Sequence, residues 1–127
     1  MVPPPSDNVT NLLQKFLDVQ SRRAEVVSSN IANADTPGYK AKTLEFDEYL
    51  KEAVRQSSLP MSQREDEPLA SLKVTESVPT AIGFDGNTVD AGKEMAELAQ
   101  AGSSFNFGAK MLQSRFRLLR SAIREGR

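Results

Sequence analysis

The last third of the chain carries an apolar repeat that leaves little freedom in how it can fold. Met95, Leu98, Gly102, Phe105, Ala109, Leu112, Phe116, Leu119 and Ile123 follow one another at alternating spacings of three and four. Sustained over about four heptads, that spacing is a helical seam built to face another helix. It predicts a C-terminal helix over 89–127, with Asp90 or Asn87 as its N-cap and Gly126 at its end. Gly102 and Gly108 weaken such a helix by roughly 1 kcal/mol each relative to alanine. Gly102 lies on the seam, where a missing side chain would let a partner helix approach closely.

A second seam runs near the N-terminus, through Leu13, Leu17, Gln20, Ala24, Val27 and Ile31, with Gln20 its polar exception. It predicts a helix over 8–34, about 40 Å long, after an extended proline-bearing arm at 1–7. Ser6, Asp7 and Asn8 are candidate N-caps. Neither helix can bury its seam alone. The chain has 127 residues, 39% of them hydrophobic, and no tryptophan, so apolar contacts must concentrate in the seams of one small domain. The expected fold is all-α. Long terminal helices pair as a coiled-coil-like hairpin or with neighbouring chains, around a mostly irregular region at 35–88. The C-terminal helix is the longer, so part of its seam must find another partner or stay exposed.

Between the helices, "NIANADTPGYKA" (30–41) reads as a terminator. Asn30 and Asn33 can bond to backbone in the last helical turn. Pro37 stops the helix and biases Thr36 away from helical angles. Pro37-Gly38 suits the centre of a type II turn, where glycine tolerates positive φ. Tyr39 to Leu44 reads as extended. Phe46, Leu50 and Val54 then share a helical face, predicting a short helix to about Gln56. Residues 57–80 read mostly as a flexible loop, with "SLKVTES" (71–77) a candidate short strand. "GFDGN" (83–87) is a turn cluster.

Little here suggests catalysis. With no histidine and no cysteine, the commonest general base, thiolate nucleophile and metal ligands are missing. "DGNTVD" (85–90) only loosely resembles a calcium loop, since its spacing departs from the pattern and no glutamate closes it; a turn plus helix cap is favoured. "REDE" (64–67) sits in a predicted loop with nothing to desolvate it, so acid/base work is disfavoured. There is no Gly-rich phosphate loop, and an enzyme is not expected. Net charge is −1, so bulk charge points to neither nucleic acid nor membrane. Arg115, Arg117, Arg120, Arg124 and Arg127 read as a solvated helix face, as part of a subunit interface, or more distantly as phosphate ligands. Phe105, Phe107 and Phe116 read as packing residues rather than a base-stacking platform. No apolar run approaches the roughly 20 residues needed to span a bilayer. The N-terminal residues lack the basic and apolar regions of a cleavable secretory signal.

Three segments together carry a family likeness: "SSNIANADTPGYKA" (28–41), "DGNTVDAGKEMAELA" (85–99) and "QSRFRLLRSAIREGR" (113–127). They resemble the flagellar basal-body rod proteins of bacteria, and the third resembles the ending of the proximal-rod type in particular. The resemblance implies a structural subunit that stacks helically into the hollow drive shaft between the rotor ring and the distal rod and hook. It implies no cofactor. Its implied partners are other rod proteins, the rotor (MS) ring and its rod adaptor, copies of itself, and the type III export apparatus during secretion, with no nucleic acid and no membrane insertion. The implied location is the periplasm-spanning rod of the basal body, reached without a cleaved signal peptide. The assembly interface is then expected at Asn30, Asn33, Thr36, Pro37, Gly38 and Tyr39, with Tyr39 packing on an adjacent subunit or the C-terminal helix. The seam residues Leu13, Leu17, Val27, Ile31, Met95, Leu98, Phe105, Leu112, Phe116, Leu119 and Ile123 complete it. Phe46 and Leu50 resemble the Phe-x-x-x-apolar element by which early substrates engage the export gate; a locally packed helix face is the alternative. The rival from another class is a stand-alone coiled-coil binding module or secretion adaptor.

Overall fold

The computed structural model describes residues 5–126. It is mostly helical. In chain order it has α1 (Pro5–Ala32), β1 (Lys42–Glu45), α2 (Asp47–Ser57), β2 (Lys73–Glu76) and α3 (Ala91–Glu125). α1 starts inside the stretch expected as an extended arm, at a proline whose fixed φ suits the first turn of a helix. Asn8 is therefore within the helix rather than capping it. Its side-chain amide donates to Ser57 O at 3.3 Å, and its Oδ1 accepts from Arg64. Arg127 lies outside the described residues.

The β element is real and two-stranded. β1 and β2 pair antiparallel, with Lys42 opposite Glu76 and Leu44 opposite Val74. The stretch at 57–80 is thus more ordered than a flexible loop. It contains single 3₁₀ turns at Met61–Gln63 and Leu69–Ser71 before β2. Arg64 pins its start by donating to Leu59 O at 2.8 Å and Ser57 O at 3.2 Å.

α1 is buried on two sides. Val19 and Val26, one heptad apart and off the expected seam, pack with Leu44 of β1 and Tyr49 of α2; Phe46, Leu50 and Leu72 close over that cluster. The Arg23 guanidinium lies 5.5 Å from the centre of the Phe46 ring. Burial pushes the Tyr49 phenol above its usual 10.0.

The other side of α1 meets α3. Asn30 contacts Glu94, Arg23 contacts Glu97 and Gln100, and Phe16 lies against Gly108, so the two helices run antiparallel across these contacts. The face that α3 turns inward is rotated from the expected seam. Glu94, Ala101 and Gly108 are its buried residues. They precede Met95, Gly102 and Ala109 by one position each, and this turns the first residue of every heptad aside. The close approach occurs at Gly108, not Gly102. A Cβ at Gly108 would sit 2.9 Å from the Phe16 ring and 3.0 Å from Leu17, whereas one at Gly102 would meet nothing within 4 Å. Small residues let α1 approach at this face, and bulky ones are left outside.

A candidate assembly interface

Two features stand out: a polar knot that joins distant segments, and an apolar stripe left largely exposed among the described residues.

The knot is built where α1 ends. Asn33 behaves as expected, its amide donating to Ser29 O at 2.8 Å within the last turn. Asn30 does something else. It is fully buried, and its amide donates to Lys42 O at 2.7 Å and to Glu94 Oε2 at 3.0 Å. Its Oδ1 accepts from Lys42 N at 2.9 Å and from the Tyr39 hydroxyl at 3.2 Å. Both donors and both acceptor sites of this side chain are used. Asn30 thereby ties α1, the start of β1 and the first turn of α3 together. The Glu94 carboxylate, also buried, sits where the helix N-terminus favours negative charge. The Tyr39 hydroxyl points back onto Asn30.

The Pro-Gly turn forms as the residues dictate. Tyr39 N donates to Thr36 O at 3.2 Å, and Gly38 has φ +73°. The turn is then welded to "DGNTV". Gly38 N donates to Asp85 O at 2.9 Å, Thr88 N to Tyr39 O at 3.0 Å, and Ala41 N to Thr88 Oγ1 at 2.8 Å. Asn87 braces the turn that follows α1. Its buried amide nitrogen lies 2.9, 3.0 and 2.8 Å from the carbonyl oxygens of Asn33, Ala34 and Thr36, which share its two N–H donors. So Asn87 serves the turn after α1, while Asp90 caps α3 by accepting from Lys93 N at 3.1 Å. Asp85 likewise spends its carboxylate on a turn, accepting from Asn87 N at 3.1 Å. Two of the three segments singled out in the sequence are therefore one structural unit.

The stripe lies on α3. Met95, Phe116 and Ile123 are 63%, 52% and 68% exposed, and Phe105 and Leu119 are also exposed. Leu98 and Leu112 are half-buried, as are Leu13, Leu17 and Ile31 on α1, while Val27 is buried. The phenylalanines expected to pack are thus mostly open within one chain, Phe107 included. Phe46 and Leu50 are partly buried against the core. Sequence reasoning did not find Asn87 as the brace of the turn after α1, nor Thr88, Glu94 or Gly108. The only local signals were the "GFDGN" turn and a glycine one position before the seam.

Comparison with known proteins agrees with this layout. The family model described as flagella basal body rod protein matches residues 17–40, from mid-α1 through the turn to the knot. The class is therefore that of the flagellar rod proteins. The chain is 32% identical to the flagellar basal body rod protein FlgB of Aeromonas hydrophila, over 93% of this chain and 94% of that one. It is 26% identical to FlgB of Escherichia coli K12, over 94% and 96% of the two chains, and 29% identical to FlgB of Bacillus subtilis, over 91% and 92%. The chain belongs to the FlgB family of flagellar basal body rod proteins.

Proposed function

We propose that the chain is a structural subunit of the proximal rod, assembling helically with copies of itself and with other rod proteins between the rotor ring and the distal rod. The observation that carries this reading is the apolar stripe on α3. Met95, Phe116 and Ile123 stand more than half exposed on one long helix, at a spacing that suits a neighbouring helix. Their burial has to come from other subunits. In the assembly, α1 and α3 form a coiled-coil-like pair within one structural domain, and the outward stripe seats against adjacent helices. Leu13, Leu17, Val27, Ile31, Leu98, Phe105, Leu112 and Leu119 supply the rest of the seam. The turn from Asn30 to Tyr39 presents the knot to neighbours. The reading includes export through the flagellar system, and in an unfolded chain Phe46 and Leu50, partly buried in the fold, are free to engage the export gate.

Support comes from the family membership and from the named homologues, all rod proteins rather than enzymes. The test is complementation. In a strain lacking its own FlgB, this chain restores basal bodies and swimming. Gly38→Val, which forces a β-branched residue to φ +73° at the turn, is exported but not incorporated. A wild-type chain that purifies as a small closed oligomer and never enters basal bodies would favour the stand-alone binding module.

A further inference from the structure

Between the β1–β2 ribbon and the start of α2 lies an open groove of about 530 Å³. Its floor is apolar, with Leu44 and Tyr49 buried and Phe46 and Leu72 partly buried beside them. Its rim is acidic. Glu45, Asp47, Glu48 and Glu67 line it and are exposed, against a single lysine, Lys73. Among the described residues none of these four carboxylates forms an ion pair. Glu45 accepts a hydrogen bond from the Thr75 hydroxyl at 3.1 Å. Asp47 and Glu48 occupy the first turn of α2, and their negative charge complements the positive end of the helix dipole. An apolar floor inside an unpaired acidic rim matches a partner whose apolar side chains are flanked by cations.

The chain carries such a segment at the far end of α3. α1 has 28 residues and α3 has 35, so α3 outruns its partner. The antiparallel register that sets Phe16 against Gly108 brings the first residue of α1 level with Leu119. Around and beyond that point, exposed Phe116, Leu118, Leu119 and Ile123 are interleaved with Arg117, Arg120 and Arg124. Among the described residues, Arg120 and Arg124 meet no carboxylate. The chain cannot fill its own groove. The groove floor packs on Val19 and Val26, roughly 20 Å or more along α1 from the end that α3 overruns.

We infer that this groove receives the arginine-bearing end of α3 from a second copy of the chain. Phe116, Leu119 and Ile123, which share one face of α3, cover the apolar floor, and Arg120 and Arg124 along the flank of that face reach the acidic rim. The contact joins two different surfaces, so it propagates from copy to copy instead of closing on itself. It rests on the reading of the chain as an assembling rod subunit, and it names one of that subunit's self-contacts.

Because the chain has no cysteine, introduced pairs report cleanly. Two differently tagged full-length copies, one Thr43→Cys and one Ala122→Cys, are co-expressed in the FlgB-deficient strain and oxidised in isolated basal bodies. The same copies are purified, mixed and oxidised in solution. The expected product carries both tags. Reversing the rim (Glu48→Arg with Glu67→Arg) or the helix end (Arg120→Glu with Arg124→Glu) lowers its yield about tenfold, and combining both reversals restores it. Absence of the two-tag product in both settings overturns the contact. So does a yield indifferent to reversal, or linkage of Ala122→Cys to a different rod protein. Wild-type complementation is scored in parallel. Swimming without the cross-link sinks only the groove contact, whereas failure of wild type to enter basal bodies sinks the rod reading itself.

Discussion

Asn30 shows how one side chain can organise a small domain. It is buried, and each of its four hydrogen-bonding positions is taken by a group from outside α1. Asn30→Ala leaves Lys42 N–H and C=O, the Tyr39 hydroxyl and Glu94 without that partner. The expected loss is about 3 kcal/mol in urea unfolding of the isolated subunit, since each stranded buried group costs roughly 1–3 kcal/mol. A loss below about 1 kcal/mol would mean that the knot re-forms around water. The two mid-helix glycines of α3 give a matched pair. Gly102→Ala meets nothing within 4 Å and raises stability by up to about 1 kcal/mol, the helix-propensity gain. Gly108→Ala has the same gain but drives a Cβ to 2.9 Å from Phe16, and overpacking of roughly 1–3 kcal/mol makes the net effect destabilising. Thermal melts of the two variants moving in the same direction would contradict the packing described for Gly108. From sequence, Asn30 looked like a helix terminator. Its actual role depends on Glu94, which no local pattern connects to it.

At the scale of elements, periodicity located the two long helices and the short one, and it identified an apolar side on each. It did not say which flank of that side meets the other helix within the chain. α3 presents Ala101 and Gly108 inward because α1 brings Phe16 and Leu17 to that face, and bulky residues there would collide. The seam residues Met95, Phe116 and Ile123 are consequently left exposed. Phe116→Gln with Ile123→Gln is expected to keep the subunit's helix content and to change its unfolding free energy by no more than about 0.5 kcal/mol, as surface substitutions do. The same pair should abolish incorporation into basal bodies. Ala101→Gln, at a site 1% exposed, should do the reverse and lower the stability of the isolated subunit. Equal loss of subunit stability in both would show that the stripe serves the monomer fold. The strands illustrate a different limit. "SLKVTES" alternates weakly and is short, and what makes it a strand is the ladder to β1, which begins where the knot delivers Lys42.

At the scale of the whole molecule, order is uneven. The knot and the Val19–Val26 cluster hold one end of the molecule, and the last turns of α3 extend past α1 with none of the described residues placed opposite by the register. Amide exchange on the isolated subunit should therefore be slow at Ala41 and Thr88, whose backbone N–H groups are bonded across segments, and fast over 116–125. A helix that short and uncovered is marginal in water. In assembled rods the same amides should slow markedly. Uniform strong protection in the free subunit would show a self-sufficient helix pair. The sequence by itself determined the long helices, the turn at Pro37-Gly38 and the surplus of apolar surface, because periodicity, proline geometry and glycine φ are local properties. Only the tertiary structure decided that Asn87 braces the turn after α1, that Asn30 holds Glu94, and that α3 packs on its small residues. Each of those depends on contacts between segments more than fifty residues apart, and on a competition for space that a one-dimensional pattern does not record.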